Sequence, residues 1–121
     1  MKRWIAVDLD GTLADHYWPD KGDFEPLRIG DPIPAMVARV RDWLAQGKDV
    51  RIFTARVGPH PTRTPAIIEE IRAAIRAWTH THVGVALEAT CIKDEGLEEL
   101  WDDRAVRVIH NRGIRCCEPA A

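Results

Sequence analysis

The sequence predicts an α/β domain built on an open, mostly parallel sheet. Short apolar segments suited to buried strands alternate with amphipathic segments of helical length. That alternation is typical of crossover connections between parallel strands. Polar residues follow several apolar segments, at the points where strands would end. Ligands bind beyond the carboxyl ends of such strands, so these polar residues are the candidates for function.

The 121 residues fit one domain, taken as residues 1–121. With 45% apolar and 30% charged residues, the composition is that of an ordinary globular protein. Asp8 interrupts the first apolar run early, and no run approaches about 20 residues, so neither an export signal nor a membrane span is predicted. A net charge of −2 excludes a global basic field for nucleic acid.

Cysteine usage favours a reducing cytoplasm. The three cysteines are an odd number and include the adjacent pair Cys116 and Cys117, which does not readily bridge to itself. A zinc site would need a second group of ligands at suitable spacing, and the sequence has none. Neither a disulfide framework nor a zinc centre is therefore expected.

In the first half of the chain, residues 3–9 form an apolar run without clean alternation, as in a strand buried on both faces. Residues 14–33 contain prolines and glycines but no sustained period, which predicts an ordered loop or flap. A helix is expected from Pro34, a favourable first-turn residue, to a C-terminal cap at Gly47.

The middle of the chain repeats this pattern. Residues 50–53 predict a second strand, and residues 64–79 predict a helix with isoleucines on one face. One or two short apolar segments follow in residues 83–92, ending before Lys93.

The C-terminal part is expected to add two strands and a helix. Residues 97–101 lead into Asp102 and Asp103 as a strand end. Residues 106–109 predict a last short helix closed by Gly113, and residues 114–117 predict a final strand.

Asp8 and Asp10 carry the chemistry that the sequence predicts. Two residues apart in an extended chain, their side chains lie on one side. One carboxylate can attack phosphorus to give an aspartyl phosphate, while the other protonates the leaving oxygen. Two acids repel each other, so a cation is required. Asp102 and Asp103 add oxygen ligands, which favours Mg²⁺.

Three further polar residues follow the predicted strands. Thr54 can donate to a phosphoryl oxygen, Lys93 can neutralise charge on Asp8 and the phosphate, and Arg56 can hold a substrate phosphate in a bidentate manner. Each has an ordinary structural interpretation alone: a helix cap for Thr54, a solvated lysine for Lys93 and a surface arginine for Arg56. Their order at successive strand ends favours function.

These residues together resemble the four ordered motifs of the haloacid dehalogenase-like (HAD-like) phosphohydrolase superfamily. The similar segments are Asp8-Leu9-Asp10-Gly11-Thr12-Leu13, Ile52-Phe53-Thr54-Ala55-Arg56, Lys93 and Trp101-Asp102-Asp103-Arg104. The C-terminal motif is similar to small phage and bacterial members and to the phosphatase domain of phage polynucleotide kinase.

The resemblance implies a three-layer Rossmann-like fold, with helices on both faces of the sheet and no large cap domain. It implies that Asp8 is the nucleophile and a metal ligand, and that Asp10 is the acid and base and offers its carbonyl to Mg²⁺. Thr54 and Lys93 would hold the phosphoryl group. Neighbouring side chains at a strand end are expected to diverge, so only one of Asp102 and Asp103 would bind the metal directly. The resemblance favours Asp103, with Asp102 as an outer or water-mediated partner.

Without a cap, the site is expected to be open. The implied partner is a phosphorylated small molecule or a nucleic-acid end, and a homo-oligomer would close the site around a small ester; no membrane is expected. Tyr17, Trp18 and Phe24 in the flap would either stack on a base or anchor the flap to the core.

Two other functional classes share parts of this pattern. A phosphoaccepting receiver domain also uses an acidic cluster, a phosphorylated Asp, a Thr and a Lys on a parallel sheet. In a receiver the acidic pair comes early and the phosphorylated Asp lies on a later strand. Here the Asp-x-Asp comes first and the pair Asp102 and Asp103 comes last, so the order argues against a receiver. A catalytically silent phosphate-binding module would retain the fold without turnover.

Overall fold

The computed structural model describes residues 2–16 and 25–116. It confirms an α/β architecture on a four-stranded, fully parallel sheet of order β3-β2-β1-β4. The elements are β1 (Trp4–Val7), α1 (Pro34–Ala45), β2 (Val50–Phe53), a 3₁₀ turn (Ala55–Val57), α2 (Pro65–His82), β3 (Ala89–Thr90) and β4 (Leu97–Trp101). Neither helix is both long and apolar enough to cross a membrane.

Both helices pack on one face of the sheet. From β1 to β2 and from β2 to β3, the chain moves to the next strand in the same direction across the sheet. Right-handed crossovers in one direction place their helices, α1 and α2, on the same face. The buried cluster formed there contains Ile5 and Val7 of β1, Ile52 of β2, Val40 of α1 and Ile71 of α2. This apolar layer is the main core of the domain.

The opposite face of the sheet presents Trp4 and Phe53, whose ring centroids lie 6.5 Å apart. Residues 91–96 cross this face on the way from β3 to β4, and the Trp4 indole N–H donates to Asp94 at 2.8 Å. The expected helix on this face is therefore missing from the described residues. The connection from β3 to β4 runs back past β2 and β1, and a right-handed crossover in that direction covers the face opposite to the two helices. Residues 91–96 make this connection and are too few for a helix.

The boundaries predicted for the helices are largely confirmed. α1 begins at Pro34, and Gly47 follows its end with a φ of 81°, the left-handed conformation of a C-terminal cap. The Thr64 hydroxyl caps α2 by accepting from Ile67 N at 3.2 Å. α2 continues to His82, three residues beyond the prediction of 64–79. Fully buried Thr79 stabilises this extension, because its hydroxyl donates to Ile75 O and accepts from Leu87 N.

The predicted C-terminal helix is wrong. Residues 107–116 form a small hairpin in which Ile109 N donates to Ile114 O and Cys116 N donates to Arg107 O. The predicted strand 114–117 is reduced to one antiparallel bridge, Val108 to Arg115, and Cys117 lies outside the described residues. The apolar side chains of this hairpin are exposed, so residues 106–113 have no apolar face packed on the core that would stabilise a helix.

The described ends of the predicted flap, residues 14–33, are joined to each other. Asp15 N donates to Asp31 O at 2.7 Å, and Ile33 N donates to Leu13 O at 2.8 Å. These bonds close the base of the loop directly after the Asp8 to Leu13 segment. Tyr17, Trp18 and Phe24 lie outside the described residues.

Candidate active site

Asp8 and Asp10 face one cavity, as their spacing predicted. Asp8 follows the last residue of β1, and Leu9 between the two aspartates is fully buried in the core. Burial of Leu9 turns both flanking carboxylates outward on the same side. They line a cavity of about 520 Å³ that also includes Thr54, Arg56 and Asp102.

An acidic cluster forms where β1 and β4 end together. Val7 pairs with Trp101 in the parallel register, and Asp8 N donates to Trp101 O at 2.9 Å. The residues after this pair therefore emerge side by side. One carboxylate oxygen each from Asp8, Asp102 and Asp103 lies within 4.8 Å of the others.

The expected divergence of Asp102 and Asp103 is not observed. The chain leaves the extended conformation after Trp101, and Asp102 Oδ1 accepts from Arg104 N at 2.8 Å in a tight turn. This turn brings both carboxylates to Asp8. Asp102 is half-buried and Asp103 is exposed, so the geometry allows either to be a direct ligand.

Thr12 links the two sides of this cluster, a role the sequence did not reveal. Its hydroxyl lies 3.2 Å from Asp8 Oδ2 and 3.4 Å from Asp103 Oδ1, and it accepts from Asp103 N at 3.1 Å. The single hydroxyl proton serves one carboxylate at a time. Thr12 thus positions Asp8 and Asp103 relative to each other.

Burial raises the pKa of Asp8 from 3.8 to about 7, with a further increase from the neighbouring Asp102, Asp103 and Asp10 carboxylates. The hydrogen bond from Thr12 opposes this increase. Such repulsion would be relieved by a bound cation. The cluster offers only carboxylate oxygens, which are the donors preferred by hard divalent cations.

Gly11 makes the cluster compact and provides a test of it. Its φ is 88°, and a Cβ at this position would lie 2.5 Å from Asp103 Oδ2. Gly11→Ala should destabilise the fold by about 1–2 kcal/mol through backbone strain and should also displace Asp103. We therefore expect Mg²⁺ affinity, measured by calorimetry, to fall about tenfold, a loss typical of a disturbed ligand shell.

Gly47→Ala is the matched control for this variant. Gly47 has a φ of 81°, but a Cβ there would meet no atom within 4 Å. It should show a similar loss of stability with unchanged Mg²⁺ affinity. Equal Mg²⁺ affinity in the two variants would show that Asp103 does not contribute to cation binding.

Arg56 and Asp10 form a buried, bidentate ion pair. Arg56 Nε donates to Asp10 Oδ2 at 2.8 Å and Nη2 donates to Asp10 Oδ1 at 2.7 Å. Nη1 donates to the carbonyls of Pro26 and Arg28. The guanidinium of Arg56 is thus directed to the Asp10 carboxylate and to main-chain carbonyls. Its role in holding a substrate phosphate stays a prediction.

Because Arg56 takes the Asp10 carboxylate, Asp10 is not part of the acidic cluster of Asp8, Asp102 and Asp103. A metal contact from Asp10 would come from its main-chain carbonyl, as the resemblance implies.

Thr54 lies where predicted, directly after β2, and lines the same cavity. It is 4% exposed, and its hydroxyl oxygen accepts from Arg56 N at 3.2 Å, which caps the 3₁₀ turn. This bond leaves the hydroxyl proton available as a donor. The cap interpretation is therefore confirmed, and the role of Thr54 as a donor to a phosphoryl oxygen stays a prediction.

The structure does not bring Lys93 to the cavity. Its side chain is exposed, and Lys93 is not among the residues that line the site. It belongs to segment 91–96, which turns away from the strand ends because Asp94 binds Trp4 on the back of the sheet.

Histidine and arginine side chains line the cavity instead. None was predicted to act at the site: Arg104 belongs to the Trp101-Asp102-Asp103-Arg104 segment but was given no role, and the others follow no recognisable spacing. These residues are His16, His60, Arg63 and Arg104.

Comparison of this chain with models of known protein families, with curated proteins and with solved structures gave no match.

Proposed function

We propose that this protein is a Mg²⁺-dependent phosphomonoester hydrolase that acts through an aspartyl phosphate on Asp8. The observation that carries the proposal is the convergence of Asp8 with Asp102 and Asp103, at the edge of a cavity that Asp8, Asp102 and Thr54 line together. A nucleophilic carboxylate, oxygen ligands for a cation and a phosphate donor are the parts that such a reaction requires.

In this proposal, the cluster of Asp8, Asp102 and Asp103 would hold Mg²⁺. The resemblance implies a further ligand, the Asp10 main-chain carbonyl. The ion, when bound, neutralises charge on the phosphoryl group. An Asp8 carboxylate oxygen forms the bond to phosphorus as the ester oxygen leaves, and Thr54 donates to a phosphoryl oxygen. Water then attacks the aspartyl phosphate, which releases phosphate and restores Asp8.

Asp10 supplies a proton to the leaving oxygen and later accepts one from water. Each Asp10 carboxylate oxygen accepts one bond from Arg56, and a proton on one of these oxygens would weaken the bond which that oxygen accepts. Arg56 therefore defines the resting position of Asp10 beside Asp8. The direct test is Mg²⁺-dependent release of phosphate from an aryl phosphate, with EDTA as the control.

A specific pH dependence of stability is also expected. With the pKa of Asp8 raised from 3.8 to about 7, the folded protein keeps a proton that the unfolded chain has lost between these values. Rising pH in that window therefore favours the unfolded state of the metal-free protein. Mg²⁺ binds the ionised cluster, so its stabilising effect should increase up to about pH 7.

Urea unfolding at pH 5 and pH 8, with EDTA or Mg²⁺, measures this dependence. Asp8→Asn is the control, and the difference between the wild type and the variant isolates Asp8 from the histidines. Identical pH slopes in the two proteins would contradict the assignment of the raised pKa to Asp8.

A catalytically silent phosphate-binding module is the second candidate. The Arg56–Asp10 pair and the position of Lys93 favour it, because both leave the transferred phosphate with fewer partners than the sequence predicted. Such a module would bind Mg²⁺ and phosphate without turnover. A receiver domain would instead form a long-lived phosphoprotein with acetyl phosphate and release little phosphate.

The proposed substrate is a phosphorylated small molecule or a nucleic-acid end, because no large cap domain restricts access to the site. For a small ester, we propose that a homo-oligomer closes the site. A cytoplasmic location suits Cys91, which is a free thiol in the structure.

A further inference from the structure

The wall of the cavity beyond β2 is basic. It is formed by residues 58–64, here called the basic loop, between the 3₁₀ turn and α2. His60 and Arg63 of this loop line the same cavity as Asp8. α2 starts at Pro65, so the positive end of its dipole adds to the positive potential of the loop.

Arg63 is held in place without a charge partner. Its Nη1 donates to the carbonyls of Ala55 and Arg56, both at 3.0 Å. No carboxylate of the described residues lies within ion-pair distance of it, in contrast to Arg56, which pairs with Asp10. A fixed guanidinium with remaining N–H groups and no counter-ion is suited to an anion.

His60 adds a second oriented donor. Its Nδ1 lies 3.2 Å from the Thr62 main-chain N–H, which can only donate, and 2.8 Å from the Thr62 hydroxyl. Nδ1 is therefore the acceptor nitrogen, and Nε2 carries the proton. The loop is closed by a bond from Arg63 N to His60 O at 3.0 Å, so both donors are held in one turn.

The sheet topology separates this loop from the acidic cluster. The cluster is formed at the ends of β1 and β4, whereas the basic loop follows β2, on the other side of β1. Asp8 follows β1, one strand spacing of about 5 Å from β2, and Thr54 directly after β2 precedes the basic loop along the chain. The cavity of about 520 Å³ is in the size range of small-molecule sites, so it has room for more than one phosphoryl group. A phosphoryl group bound at Asp8 therefore leaves the basic loop for a different part of the substrate.

We propose that His60 and Arg63 bind a second anionic group of the substrate, so that the enzyme acts on phosphomonoesters that also carry another phosphate or a carboxylate. This inference rests on the proposed hydrolase function. It adds a specificity site that depends on the loop after the 3₁₀ turn rather than on the acidic cluster.

The experiment uses two matched pairs of substrates that differ only in the second anion. Adenosine 3′-monophosphate is compared with adenosine 3′,5′-bisphosphate, and glycerol 2-phosphate with 2-phosphoglycerate. The wild-type protein should prefer the doubly anionic member of at least one pair by about tenfold or more in kcat/KM, as for charge-assisted hydrogen bonds. The pair that shows the preference identifies the second anion as phosphate or carboxylate.

Arg63→Gln should reduce that preference about tenfold, and His60→Ala should reduce it less, because it removes a neutral donor. The matched control is Arg112→Gln, on the exposed hairpin outside the cavity, which should leave both the preference and the activity unchanged. Calorimetric binding of the two adenosine phosphates in Mg²⁺ should show the same order and does not require turnover.

Two results would overturn the inference while the hydrolase proposal stands. One is a preference below about twofold in both substrate pairs. The other is an equal loss on both members of each pair in Arg63→Gln, which would place Arg63 on the reacting phosphate. If no substrate releases phosphate, the hydrolase proposal fails, and calorimetry still decides whether the basic loop distinguishes the second anion.

Discussion

Asp8→Asn should reduce Mg²⁺-dependent phosphate release by at least about three orders of magnitude, because an amide cannot form the aspartyl phosphate. The loss should appear in kcat with an aryl phosphate, measured in single-turnover reactions as well as at steady state. Acid quenching of the wild type should trap phosphate on the protein, and the variant should trap none.

Folding of the Asp8→Asn variant is checked by urea unfolding without metal. The variant should be at least as stable as the wild type at pH 8, because it removes a buried negative charge beside Asp102 and Asp103. Asp31→Asn, an exposed aspartate outside the cavity, is the matched control and should retain full activity. Substantial activity in purified Asp8→Asn would exclude Asp8 as the nucleophile.

Arg56→Met should be the most destabilising single change at the site, at about 3 kcal/mol in the free energy of unfolding. The Arg56 side chain is 3% exposed and its Asp10 partner 18% exposed, so the variant leaves a largely buried carboxylate without its cation. The carbonyls of Pro26 and Arg28 also lose a donor. Urea unfolding in EDTA measures this cost.

Arg76→Met is the matched control for Arg56→Met. Arg76 also contacts carboxylates, Glu69 at 2.7 Å and Glu88 at 3.5 Å, but on the exposed surface of α2. Its removal should cost less than about 1 kcal/mol. The double variant Arg56→Met and Asp10→Asn should recover part of the loss, because no buried charge then remains unpaired. A cost for Arg56→Met similar to that of Arg76→Met would contradict the importance of the buried pair.

The site residues that directly follow strands are the ones whose positions could be predicted from the sequence. Asp8, Thr54 and Asp102 were correctly predicted to meet, because parallel strands bring their carboxyl ends to one edge. Lys93 was expected at the same edge, but it lies beyond β3 in a connection that crosses the back of the sheet. The short connection after β3 turns back along the sheet within a few residues. A residue such as Lys93 can therefore follow a strand closely in sequence and still lie away from the site.

Arg56 and Thr12 show a second limit. The sequence offers Arg56 several acidic partners, and only the approach of Asp10, 46 residues away along the chain, selects one. Thr12 was part of a recognisable motif, yet its link to Asp103 spans 91 residues. Hydrogen bonds over such separations depend on the packing of distant segments and leave no local pattern.

The sequence by itself determined the parallel α/β architecture, both helices with the C-terminal cap of the first at Gly47, and the carboxylates at the ends of β1 and β4. These features follow from local periodicity, capping chemistry and the regular geometry of parallel strands. Only the tertiary structure decided that Asp102 and Asp103 both reach Asp8, that Arg56 holds Asp10, and that a basic loop lines the far side of the cavity. Those outcomes depend on turns and on long-range packing, where a few degrees of backbone rotation determine which charges meet.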